Sequence, residues 1–272
     1  MPRKTTSTRA PARTLHHRVT APQSHQAATL PGMHRKSAVT QAGSTTHFEV
    51  SYLASLGQTG ADLAAAILET CERDYNALAQ IFNGLTPEGL PFVVEITSDS
   101  TGASHSSCMG TDISIGGKSG GNVDFIRSLL VAEEDEVFMA NFDHGWNCGA
   151  SNGEGLSRVL ANDIYQNVEP ADFISSSVWL NLDPRPNFVD RTEPTDTDYN
   201  SIGCSVLFLN WMRFQLNYTW DKVVAAGTAT LAGTYKKLTG KSTGWQDFEA
   251  AINAHFPVGQ QYDLKTDNPF PL

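Results

Sequence analysis

The segment NVDFIRSLLVAEEDEVFMA (122–140) constrains the chain most. It is its most helix-like apolar stretch, yet it carries Glu133, Glu134 and Glu136. Phe125, Leu129, Ala132 and Val137, with Leu130 and Phe138 alongside, cover much of the helix circumference and predict burial. Charge inside a protein is unfavourable unless it is paired or bound to something. Residues three or four apart share a helix face, so Glu133 and Glu136 are neighbours. Glu134 lies about 100° round from Glu133 and is expected to face water. After a short loop, GEGLSRVLANDIY (153–165) reads as a second helix. Glu154 stands at its start, where the helix dipole favours a carboxylate.

The elements around this pair predict an α+β fold, a small sheet with helices followed by a mainly helical half. HFEVSYL (47–53) alternates like a strand, and PFVVEIT (91–97) and TDISIG (111–116) read as strands. Between the first two, Leu63, Ile67, Cys71, Tyr75, Leu78 and Phe82 recur at helical spacing up to Gly84. SDSTGASHSSCMG (98–110) reads as a Gly/Ser loop. Further helices are expected at 171–180, 203–217, 220–226, 229–238 and 245–255, with Trp179, Trp211, Trp220 and Trp245 building their core. DPRPNFVDRTEPTDTDYNS (183–201) is a long irregular piece, and such loops are often functional.

The net charge of −10 hides an asymmetry. Residues 1–46 hold seven Lys and Arg and no acid, leaving 12 basic against 29 acidic residues elsewhere, a balance of −17. With its Thr, Ser, Ala and Pro, the 1–46 segment is expected to be a disordered basic tail, and 47–272 the folded domain. Nucleic acid or an anionic surface is expected to bind, if at all, through that tail, because the body is acidic. No apolar stretch reaches the roughly 20 residues that span a bilayer. The start lacks the apolar core of a signal peptide, so a cytoplasmic protein is expected. Cys71, Cys108, Cys148 and Cys204 form no CxxC pair, and mostly reduced thiols are expected.

The two helices resemble those of gluzincin metallopeptidases, which carry His-Glu-x-x-His on one helix and a zinc-binding Glu on the next. GEGLSRVLA (153–161) is similar to that second helix, with Glu154 at the ligand position. VAEEDEVF (131–138) then places Ala132 at the first His, Glu133 at the catalytic Glu and Glu136 at the second His, 18 positions before Glu154. VFMANFDHGWNCGASNGEGLSRVLA also resembles uncharacterised bacterial proteins of about this length. The first resemblance implies a gluzincin-like domain whose metal positions are Glu136 and Glu154 and whose base is Glu133. It also implies a transition-state residue from the C-terminal half, for which Tyr199 is the candidate. Zinc peptidase chemistry needs two imidazoles and a carboxylate, and a methyl group at 132 ligates nothing. Zinc is therefore disfavoured. Three carboxylates prefer a harder divalent cation such as Ca²⁺, Mg²⁺ or Mn²⁺.

Several readings of the glutamates stay open. They could lock two helices through Arg127 or Arg158, hold a non-zinc ion, or serve a hydrolase repaired by His144. Two His/Cys pairs, His105 with Cys108 and His144 with Cys148, are expected to rim the cleft or to form a Cys₂His₂ zinc site. The expected function is a metallopeptidase-like pseudoenzyme, without zinc-dependent activity, that binds a peptide or protein in the former active-site cleft. The alternatives are an active hydrolase with a carboxylate-rich or His144-repaired metal site, and an interaction or cargo protein acting through its tail.

Overall fold

The computed structural model describes residues 38–97, 102–117 and 122–272. Its sheet has five strands: β1 (Val39–Ser44), β2 (Phe48–Leu53), β3 (Phe92–Thr97), β4 (Ala103–His105) and β5 (Asp112–Gly116). They lie in the order β1-β2-β3-β5-β4. The inner pairs β2/β3 and β3/β5 are parallel, and both edge strands are antiparallel to their neighbours. Alternation decides the buried face. Phe48, Val50, Phe92, Val94, Ile96, Ile113 and Ile115 are all fully buried, while Val93 on the other face is 45% exposed.

Two of these strands depart from the sequence reading. β1 lies inside the segment expected to be a disordered tail, so the fold begins by Val39; the tail up to position 37 lies outside the described residues. VTQAGS has no apolar alternation because an edge strand with both faces largely wet needs none. β4 lies in the expected Gly/Ser loop. At three residues it is too short to show a period, and its pairing with β5 (Ser104 opposite Ser114) defines it.

The long helix α1 (Gly57–Ile81) packs on β2 and on α2 (Val123–Phe142), and α2 packs on α3 (Ser151–Ile164). Asn122 caps the start of α2 by accepting from the backbone N–H of Asp124 at 3.0 Å, and left-handed Asp143 ends it. The C-terminal half holds α4 (Ser176–Leu180), α5 (Tyr199–Asn210), α6 (Trp220–Ala225), α7 (Leu231–Thr239) and α8 (Gly244–His255). The last three are close to the predicted spans, whereas the helix expected at 171–180 is a 3-10 turn at Ala171–Phe173 followed by α4, and the one expected to reach 217 continues past Asn210 as a π-helical turn, Trp211–Gln215. α5 starts four residues before its expected start at 203, because Asp198 accepts from Asn200 and Ser201 and so caps it at Tyr199. Trp179, Trp211 and Trp220 are buried, and Trp245 packs edge-on against Trp179 from a half-buried position. Among the described residues, no helix is long and apolar enough to cross a membrane.

Candidate functional site

Glu154 reaches its place through two glycines that flank it. A Cβ on Gly153 would run into the Asn147 carbonyl, and one on Gly155 would lie 2.6 Å from the Ser205 Cβ. The GEG triplet thus lets α3 sit tightly on the preceding loop and on α5, with Glu154 in its first turn. α2 runs beside it, and β4 closes the other side. Between them lies a cavity of about 510 Å³ lined by Glu133, Glu136, Glu154, His105, Arg158 and Tyr199. Phe125, Leu129, Ala132 and Phe173 supply apolar wall, and Glu169 and Asp196 add two more carboxyls.

The imidazole of His105 is the centre of this cluster. Its Nε2 lies 2.9 Å from Glu136 Oε2 and 3.9 Å from Glu133 Oε2, and its Nδ1 lies 3.3 Å from the Gly110 carbonyl. Burial works against the imidazolium, but the Glu136 hydrogen bond and the two glutamate charges outweigh it and raise the His105 pKa. Burial, helped by the charge of Glu136, pushes Glu133 up to about 8, with His105 opposing. Burial and the same charge push Glu154 up to about 9 against the pull of Arg158. Glu133 and Glu154 therefore hold their protons more firmly than ordinary carboxyls while the cavity holds no further cation. Arg158 donates to the Phe173 carbonyl at 3.1 Å, and its guanidinium stacks 4.9 Å from the Tyr199 ring centroid.

The structure brings together Glu133, Glu136, Glu154, His105 and Tyr199, and Cys108 and Cys148 stand at the rim. It does not bring His144. That ring is exposed, stacks on Phe142 at 4.1 Å and holds the Ala225 carbonyl at 3.1 Å, away from the glutamates, because left-handed Asp143 turns the chain off α2. The missing imidazole comes instead from β4. The cysteines are corrected too: Cys108 and Cys148 form a disulfide, while Cys71 and Cys204 are free and buried. A Cys₂His₂ site from these two pairs is thereby excluded in this state. Arg127 does not serve the glutamates either; it holds Glu69, Asp124 and the Ala66 carbonyl. Glu134 does not face water. It is fully buried, as is Asp135, and neither carboxylate has a hydrogen-bond partner among the described residues.

Glu169 and Asp196 were not singled out in the sequence. Asp196 sits in the long irregular segment, tied to α3 by the Ala150–Pro194 bridge, so only the general signal of a long loop pointed to it. The gluzincin zinc set does not fit these residues: position 132 offers a methyl group, and Glu136 pairs with His105. No protein-family model matches the chain, and comparison with curated proteins and with solved structures found no match.

Proposed function

We propose that the chain is a metallopeptidase-like binding protein whose cleft receives an extended, cation-bearing peptide segment and does not cut it. The observation that carries this reading is the convergence of Glu133, Glu136 and Glu154 on one cavity beside an edge strand. Among the described residues β4 has a strand on one side only, so its other edge can pair with a peptide backbone. The cavity is far larger than an ion. Its apolar wall suits side chains, and a lysine, arginine or amino-terminal cation would be selected because its charge favours loss of the protons held by Glu133, Glu154 and Glu169 beside Glu136 and Asp196. A peptide or protein is thus the partner class.

Fluorescence polarisation with labelled peptides of matched sequence tests this. Lys-bearing peptides are expected to bind and to come back intact by mass spectrometry, and their Glu-bearing counterparts to bind weakly or not at all. Equal affinity for both sinks the reading. A second, hydrolytic reading draws on the His105 imidazole beside Glu133. It requires cleaved peptide, lost in Glu133→Gln, where the first reading requires none.

A further inference from the structure

We propose that reduction of the Cys108–Cys148 disulfide turns the cavity rim into a binding site for a borderline-soft divalent cation such as Zn²⁺, with Cys148, His105 and Glu136 as ligands. The inference does not rest on peptide binding; it stands on the positions of three side chains. One ligand atom from each, the Cys148 sulfur, a His105 ring nitrogen and a Glu136 carboxylate oxygen, all lie within 4.8 Å of one another. Zinc–sulfur bonds of about 2.3 Å and zinc–nitrogen or zinc–oxygen bonds of about 2.0 Å place tetrahedral ligands about 3.3–3.7 Å apart. Modest rotamer adjustment therefore closes the set on an ion. These groups are not open surface acids: Cys148 and Glu136 are buried and His105 is half-buried.

His105 is prepared for the role. Its Nδ1 faces the Gly110 carbonyl at 3.3 Å, which fixes Nδ1 as the donor and leaves Nε2 aimed at Glu136. A metal would take the place of the proton now between Nε2 and Glu136. Only the sulfur is blocked, since a disulfide sulfur is a poor ligand and a thiolate a strong one. A dithiol reductant supplies two electrons and two protons, the S–S bond breaks, and two thiols form as the reductant becomes its own disulfide. Metal binding then releases the Cys148 thiol proton and the His105 Nε2 proton to solvent. Three protein ligands leave a fourth position open to the cavity, and mixed sulfur, nitrogen and oxygen donors suit zinc or cobalt rather than calcium or magnesium.

Co²⁺ alone, titrated into the full chain, reports the sulfur directly through its sulfur-to-metal charge-transfer band. The oxidised chain, in which only Cys71 and Cys204 are free, is expected to show no such band. The chain reduced by a dithiol and desalted without oxygen is expected to show it at one equivalent, and Zn²⁺ to bleach it. Cys148→Ser and His105→Phe are expected to lose it after reduction. Cys108→Ser leaves Cys148 without its partner and is expected to show the band with no reductant present. A band of equal strength in the oxidised chain, a band that survives Cys148→Ser, or none in the reduced chain overturns the proposal. Should Cys148→Ser fail to fold by circular dichroism, Cys108→Ser decides, and absence of the band there overturns it.

Discussion

Glu134 and Asp135 are the costliest residues in the helix that carries the site. Each is fully buried without a partner, and burial raises both pKa values well above the usual carboxylate range, for Glu134 with help from Asp74 and Glu72. Replacing Glu134 by Met, which keeps volume and removes the unpartnered oxygens, is expected to stabilise the chain by about 1–3 kcal/mol in urea unfolding. A loss of stability there would mean that Glu134 has a partner other than the described residues. The tight helical spacing made Glu133 and Glu136 legible as neighbours. The burial of Glu134 was not legible, because which helix covers which face is set by α1, some 50 residues earlier in sequence. His105 was visible only as a loop histidine, since a three-residue strand carries no periodic signal.

At the scale of elements, the site depends on how α3 is held. Tyr165, just after α3, donates to Asp74 of α1 at 2.6 Å, and Arg73 donates to both Tyr165 and Asp74. Tyr165→Phe leaves buried Asp74 short of a donor and is expected to cost about 1–3 kcal/mol, read in the same urea titration. An effect within error would show that Arg73 alone satisfies Asp74. Gly155→Ala drives a methyl group into Ser205 and is expected to cost about 1–3 kcal/mol. If the α3–α5 crossing simply opened to take it, thermal melting would be unchanged. The GEG signature thus had two sources of meaning in the sequence: a ligand-like glutamate and two packing glycines. Only the first was readable without the partner helix. The disulfide was not readable either, for Cys108 and Cys148 are 40 positions apart and approach only because the turn between β4 and β5 and the loop before α3 meet at the cavity rim.

For the whole molecule, the acidic cavity sets the pH dependence of stability. Burial leads in holding Glu133 and Glu169 at about 8 and Glu154 at about 9, against an ordinary 4.5. Between 4.5 and those values the folded chain binds more protons than the unfolded chain, so stability falls as pH rises. The raised His105 adds in the same direction above its ordinary 6.5. Glu72 and Asp198, held below their ordinary values, contribute stability that is lost only in acid. The melting temperature is therefore expected to be higher near pH 5 than near pH 8.5, and a flat or rising profile across that range would contradict the assigned cluster. Reducing the disulfide opens a loop of about 40 residues and is expected to cost about 4 kcal/mol on chain-entropy grounds. The α+β order and the C-terminal helices were legible from periodicity, because they follow local apolar spacing. The closing of the cleft by β4 and the 183–201 segment depended on contacts distant in sequence.

The binding claim is tested most directly by one thermodynamic cycle. The affinities of a lysine peptide and its norleucine counterpart, whose side chain lacks only the terminal ammonium group, are measured by calorimetry for the wild-type chain and for Glu154→Gln. The carboxylate cluster predicts that the wild type prefers lysine by tenfold or more, about 1.4 kcal/mol, and that the preference shrinks in Glu154→Gln. Equal affinity for the two peptides in the wild type, or a lysine preference untouched by Glu154→Gln, would contradict it.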